Sequence, residues 1–187
     1  MKFHTTPLQD AILIEQTPFE DERGYFARAW CADEFAAAGI ETEFVQMNMS
    51  ACAKAGTLRG MHYQTDAAPE AKLIRCVNGR IYDAMVDMRP NSPTYLKSWG
   101  VELTAENRLA AYIPPVFAHA YLALTDDAEV LYQVSAQYAP KHERGVRFDD
   151  PLLAIEWPIP VTSLSDKDKV WPDLTDQDIP LPDHMKR

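Results

Sequence analysis

The segment Leu58-Arg59-Gly60-Met61-His62-Tyr63-Gln64 sets a single histidine in a strand-like run. Imidazole ordinarily titrates near neutrality, so it can take up and return a proton at physiological pH. A lone histidine on a sheet also serves as a plain hydrogen-bonded structural residue, so His62 needs partners before it counts as a base. Arg59 stands three positions earlier, with Gly60 between. Strict alternation sends residues three apart to opposite faces of a strand. Arg59 and His62 therefore share a cavity only if Gly60 marks a bulge or sharp twist, a common role for glycine in strands.

A second histidine lies in Ile113-Pro114-Pro115-Val116-Phe117-Ala118-His119-Ala120-Tyr121. This resembles the second half of the cupin signature, in which a Pro-x-Gly turn precedes a histidine; here Val116 stands in the glycine's place. The first cupin half supplies two histidines as HxH, whereas this chain has His62-Tyr63-Gln64. Two histidines and a neutral amide make a poor transition-metal site. The expectation is a cupin-like barrel that uses no metal and no cofactor, with a metal-dependent cupin as one alternative.

Tyr132, in Ala128-Glu129-Val130-Leu131-Tyr132-Gln133-Val134, shares a strand face with Val130 and Val134. It reads either as a core aromatic or as a phenol that delivers a proton into a polar cavity. Arg23, Arg59, Lys72 and Lys167 are scattered cations. Each reads as a solvated charge or as an anion contact. Arg59 and Lys72 favour the second reading because their neighbours are apolar, and arginine grips phosphate oxygens bidentately.

These side chains need a scaffold. Short runs at 10–16, 24–30, 43–51, 57–64, 71–77, 80–88, 95–103, 108–113, 118–124 and 128–135 recur with turn residues between them. That spacing predicts an all-β sandwich or barrel. Asn78-Gly79 is the strongest hairpin signal. Residues 32–38 predict a helix that stops at Gly39. Beyond residue 150 the prolines multiply, as in Glu156-Trp157-Pro158-Ile159-Pro160, and predict ordered loops and short helices wrapping the barrel. Phe44, Gln46, Asn48 and Ser50 share one strand face, opposite Val45, Met47 and Met49. The polar row is either a wet barrel interior or a solvent face.

The chain has 187 residues, 14 prolines and 7 glycines, with 47% hydrophobic and 25% charged residues. It is expected to form one domain, 1–187, with 170–187 as a C-terminal tail. No apolar run approaches the roughly 20 residues of a membrane helix. No signal peptide is expected from the first residues, and Cys31, Cys52 and Cys76 fit reduced thiols, so a cytoplasmic location is expected. Net charge is −10, from 18 Lys and Arg against 28 Asp and Glu. Nucleic-acid and anionic-membrane partners are therefore not expected, while a local basic cluster can still hold a small diphosphate.

Together the segments resemble the dTDP-4-dehydrorhamnose 3,5-epimerase family of the cupin superfamily. The matching blocks run in order over roughly residues 10–172. They are Asp21-Glu22-Arg23-Gly24-Tyr25-Phe26, Val45-Gln46 with Asn48 and Ser50, Leu58 through Gln64, Lys72-Leu73, Val86-Asp87 with Arg89, and Ser92-Pro93-Thr94. Further on come Ile113-Pro114 with Phe117-Ala118-His119, Tyr138 with Pro140 and Glu143, Asp150-Pro151, Trp157-Pro158, and Leu164-Ser165 with Lys167-Asp168. The resemblance implies a jelly-roll subunit, a homodimer with strand exchange, and a nucleotide-diphosphate keto sugar as substrate. It implies His62 as base, Tyr132 as acid, Asp168 as the carboxylate paired with the histidine, and Lys72 near the sugar's C4 oxygen. Arg59 and Arg23 match diphosphate contacts; Gln46, Asn48, His119, Glu143 and Lys167 match further ligand contacts. Tyr138 matches an aromatic that stacks on the nucleobase.

The chain departs from the family's pattern at several positions. Arg28 stands where glutamate is common, Met47 for aspartate, Gln133 for lysine, and Val116 and Ala120 for glycines. Arg28 either reads a CDP- or GDP-linked sugar, since arginine can only donate, or pairs with an acidic neighbour or a phosphate. Ala120 is a candidate for choosing between C3 and C5. The competing function classes are a keto-isomerase on the same scaffold, a non-catalytic sugar-binding cupin and a metal-dependent dioxygenase.

Overall fold

A computed structural model describes residues 1–40, 43–65 and 68–175. Its strands are β1 (Lys2–Thr5), β2 (Ile12–Glu15), β3 (Phe19–Asp21), β4 (Gly24–Phe26), β5 (Gln46–Cys52), β6 (Leu58–Gln64) and β7 (Lys72–Asn78). They continue as β8 (Arg80–Asp87), β9 (Ser98–Thr104), β10 (Leu109–Ile113), β11 (Phe117–Ala123), β12 (Ala128–Val134) and β13 (Glu143–Gly145). One sheet runs β1-β2-β10-β7-β12-β5, the other β13-β6-β11-β8-β9, and β3-β4 is a separate hairpin. All pairings between these strands are antiparallel, and from β5 onward the chain steps repeatedly from one sheet to the other, as in a jelly roll.

Each of the ten expected runs contains a strand. β1, β3 and β13 carry too few alternating apolar residues to stand out. Asn78-Gly79 is a correction. β7 pairs with β10 and β12, while β8 pairs with β11 and β9, so this turn crosses between sheets rather than closing a hairpin. The residue types answer a local demand instead. Gly79 adopts φ +70°, a Cβ there would lie 2.3 Å from Thr125 Oγ1, and Asn78 Nδ2 donates to the Asp127 carbonyl at 2.7 Å.

Strand alternation divides the interior into a dry end and a wet end. Ile74, Ile113 and Val130 from the first sheet meet Ile81, Met85, Leu103 and Phe117 from the second. Such side chains each contribute roughly 1.5–3 kcal/mol when fully buried. The outer face of the first sheet is partly covered by helix α1 (Ala32–Ala37), whose Phe35 packs on Ile14, Leu73 and Tyr112. The outer face of the second sheet carries Leu58, Met61, Val86, Ala118, Ala120 and Leu122. The proline-rich segment lies over it, packing Trp157, Ile159, Val161 and Leu164 there. Of the expected tail 170–187, residues 176–187 lie outside the described residues.

Cys31, Cys52 and Cys76 are free thiols. Burial pushes the Cys76 thiol up to about 11. Among the described residues, no helix is long and apolar enough to cross a membrane.

Candidate active site

The site is built on an irregularity in β6. His62 stands opposite His119 on β11, and Arg59 stands opposite Tyr121. Three steps along β6 therefore match two along β11, which is a β-bulge. Gly60 takes φ +126°, and a Cβ there would lie 2.5 Å from the His119 carbonyl oxygen. The extra residue turns Arg59 and His62 into one cavity while Leu58 and Met61 enter the outer core. The parity problem of the sequence is thus resolved at the glycine where it was posed.

That cavity has a volume of about 490 Å³. The second sheet contributes Arg59, His62, His119 and Tyr121; the first contributes Ser50, Lys72, Ile74 and Tyr132. A second lobe of about 320 Å³ shares His62, Lys72 and Tyr132 and adds Gln46, Asn48, Glu70, Tyr138 and Glu143. The polar row of β5 is the inward one, whereas Val45, Met47 and Met49 face out. His62 and Tyr132 come from opposite sheets and face one space.

Asp168 reaches His62 from 106 residues away. Leu58 N–H donates to Ser163 O and Thr162 N–H to Gly56 O, both at 2.9 Å, tying the C-terminal strap to the start of β6. A short 3-10 turn, Asp168–Val170, then brings Asp168 Oδ1 to 2.5 Å from His62 Nε2. The Gly60 N–H lies 3.4 Å from Asp168 Oδ2. Burial pushes the Asp168 carboxyl up, but the hydrogen bond and charge of His62, with help from Ser165 and Gly60, hold it below the usual carboxylate range.

Other side chains grade into the cavity walls. His119 Nε2 lies 2.7 Å from Asp83 Oδ2, and both are buried. Val116, in the place of a cupin glycine, adopts φ +62°, so the turn keeps its left-handed backbone without the glycine. Lys72 forms an ion pair with Glu70, both side chains mostly buried. Tyr121 donates to Ser50 Oγ at 2.8 Å, and burial holds its phenol high. Burial also raises the Tyr132 phenol; Glu70 raises it further and Arg59 pulls it back. At the mouth, Tyr138 donates to Glu143 at 2.8 Å, Lys167 pairs with the same carboxylate, and Gln46 Nε2 donates to Asn48 Oδ1 at 2.8 Å.

Arg23 and Arg28 do not line either lobe of this chain. Arg23 binds Asp21 in the exposed β3-β4 hairpin, and Arg28 binds Glu34 at 2.6 Å, as its acidic-neighbour reading expected. Ala120 is corrected as a candidate for regiochemistry, because it faces the outer core and not the cavity. Gln64 turns inward, but its amide holds the backbone of Ala68, Gln137 and Ala139. Among the described residues, no three His, Cys, Asp or Glu side chains are grouped to hold a metal ion.

Sequence reasoning gave no role to Glu70, Asp83, Tyr121 or Trp171. The Trp171 ring stands 6.3 Å from the His62 ring and lies on Gly145, where a Cβ would sit 2.1 Å from the indole. His62 and Gly145 are register partners, and that contact had no signal in the sequence.

The sequence profile of dTDP-4-dehydrorhamnose 3,5-epimerase matches residues 5–176. The enzyme of that name from Methanothermobacter thermautotrophicus is 40% identical over 183 residues, covering 96% of this chain and 98% of its own. The crystal structure of the Bacillus anthracis enzyme with TDP and pyrophosphate bound superposes with a TM-score of 0.90 at 39% identity, covering 92% of this chain and 99% of the other. The structure of a 3'-monoepimerase from Streptomyces bikiniensis in complex with dTDP-quinovose gives 0.84 at 34% identity, covering 91% and 86%. With its jelly roll, its match along nearly the whole chain and these identities, the chain belongs to the dTDP-4-dehydrorhamnose 3,5-epimerase family.

Proposed function

We infer that the chain epimerises a nucleotide-diphosphate 4-keto-6-deoxyhexose, with the protein's own side chains moving the protons. The observation that carries this reading is the pair of facing walls: His62, oriented by Asp168, on one sheet and Tyr132 on the other, across one cavity. Protons at C3 and C5 flank the C4 ketone and are acidified by it. His62 takes one of them, and the bonding pair passes into an enolate on the C4 oxygen. Its Nε2 is engaged by Asp168, which leaves Nδ1 for the substrate. Lys72 stabilises the enolate charge, a contribution of roughly 3–4 kcal/mol for a well-placed donor. Tyr132 then gives its proton to the opposite face, so the carbon inverts and Tyr132 is left as phenolate.

Arg59, His119, Gln46, Asn48, Glu143 and Lys167 hold the diphosphate and sugar, and Tyr138 stacks on the base. That remote binding positions the reacting carbons. Arg23 is assigned to the site of a second copy, delivered by the β3-β4 hairpin of a strand-exchanged homodimer. Residues 1–187 form one functional unit acting in the cytoplasm. Arg28 is tied to Glu34, so the nucleotide is read as dTDP; the two solved relatives are named with TDP and with dTDP-quinovose bound.

The test follows solvent deuterium into C3 and C5 by NMR, which also assigns the inverted carbon. His62→Asn is expected to lower exchange by about 10²- to 10⁴-fold while dTDP still raises the melting temperature. Retained exchange in His62→Asn would remove it as the base, and stronger stabilisation by CDP or GDP than by dTDP would overturn the nucleotide assignment.

A further inference from the structure

Glu70 lies just before β7, in the cavity lobe that holds His62, Lys72 and Tyr132. Its carboxylate is mostly buried and paired with the Lys72 ammonium, whose side chain is equally enclosed. Nothing in the proton-transfer scheme above requires a third carboxylate here. An anion facing a space that must receive an enolate and a diphosphate works against binding, so its presence points to another role.

The neighbours identify that role. Among the described residues, the cations lining the two lobes are Arg59 on β6 and Lys72 on β7, with His62 and His119 titratable on β6 and β11. Of the other carboxylates, Asp168 on the strap is held by His62, and Glu143 on β13 by Lys167 and Tyr138. Two further phenols line the lobes: Tyr121 on β11 donates to Ser50, and Tyr63 on β6 also packs against the outer core. Tyr132 thus faces a guanidinium, Arg59, which favours phenolate, and a carboxylate, Glu70, which disfavours it. Each inversion leaves Tyr132 as phenolate and His62 as imidazolium, and the enzyme is reset only when the proton returns through solvent. A phenolate stabilised by Arg59 would stay spent.

We propose that Glu70 is a positioning residue of this site: its carboxylate anchors the Lys72 ammonium and supplies the negative charge that keeps Tyr132 loaded as the acid. This rests on the reading of Tyr132 as proton donor. It gives Arg59 a counterweight, so that a diphosphate-binding cation and a phenolic acid can share one cavity.

The direct test needs no turnover. Phenolate absorbance is titrated in the wild type, in Glu70→Gln and in Glu70→Ala, each minus the matching Tyr132→Phe variant to isolate that one phenol. The Tyr132 phenolate is expected at lower pH in both Glu70 variants, with Glu70→Asp restoring the wild-type midpoint. In turnover, the ratio of kcat at about pH 9 to kcat at about pH 7 is expected to fall by about threefold or more in Glu70→Gln. An unchanged Tyr132 midpoint in both Gln and Ala variants overturns the proposal. A shifted midpoint in a protein that exchanges no substrate protons would uphold the electrostatics and sink the epimerase reading instead.

Discussion

At the residue scale the His62–Asp168 pair bears on both the proposed chemistry and the stability of the fold. Asp168 is 5% exposed and accepts from a ring that is itself only partly open to solvent. Its carboxyl sits below the usual range, so its stabilising contribution is complete above the unfolded value near pH 4 and is lost as pH falls through the lower folded value. Asp168→Asn removes the charge that would stabilise an imidazolium and leaves a poorer orienting partner. It is expected to reduce kcat by about 10²-fold or more with little change in dTDP affinity, and to destabilise by about 1–3 kcal/mol at neutral pH. Unchanged kcat would show that His62 does not depend on this carboxylate. The histidines, the tyrosine and the strap aspartate were legible because their residue types and their order along the chain are distinctive. Glu70, Asp83 and Trp171 were not, because each is ordinary in its own segment and acquires meaning from a neighbour far away in sequence. The departures at Met47 and Gln133 also have a spatial meaning: they are direct cross-strand partners on the outer face of β5 and β12. Both carry neutral side chains here, and neither lines the cavity.

At the scale of elements, β6 shows what alternation can and cannot reveal. Period-two patterning located all of the central strands, and it also exposed the conflict between Arg59 and His62. It could not say that the conflict is relieved by one extra residue, since a bulge is a property of the pairing with β11. Likewise Asn78-Gly79 signalled a tight left-handed turn, but which strands flank it in space is decided by sheet assembly. Gly60→Ala tests the bulge. The new methyl would meet the His119 carbonyl oxygen at 2.5 Å in a backbone conformation, φ +126°, that side-chain-bearing residues rarely adopt. Strain of this kind costs on the order of 1–3 kcal/mol. The expected outcome is a cooperative fold of lower Tm whose nucleotide affinity and turnover both fall, since straightening β6 would turn Arg59 or His62 out of the cavity. Wild-type turnover at wild-type Tm would show that the bulge does not need its glycine.

At the scale of the whole molecule, the surface is incomplete in two places. Met47 and Met49, 56% and 67% exposed, face outward from the edge strand β5, and Phe19 and Phe26 stand 73% and 71% exposed on the β3-β4 hairpin. Open edges and contiguous apolar surface are normally covered, and a symmetric dimer is the commonest cover. On the proposed homodimer, Arg23, which stands outside the cavity of its own chain, would be presented to the partner copy. Light scattering is expected to give a dimer mass, and Met49→Asp to shift it toward monomer. The sharper test is complementation. If Arg23 of one copy serves the cavity of the other, co-refolding inactive Arg23→Ala with inactive His62→Asn yields mixed dimers with one doubly damaged site and one intact site. About a quarter of all sites would then be active in an equal random mixture. No recovery of exchange, with mixed dimers demonstrated by differential tagging, would mean that each copy completes its own site and that the hairpin serves assembly alone.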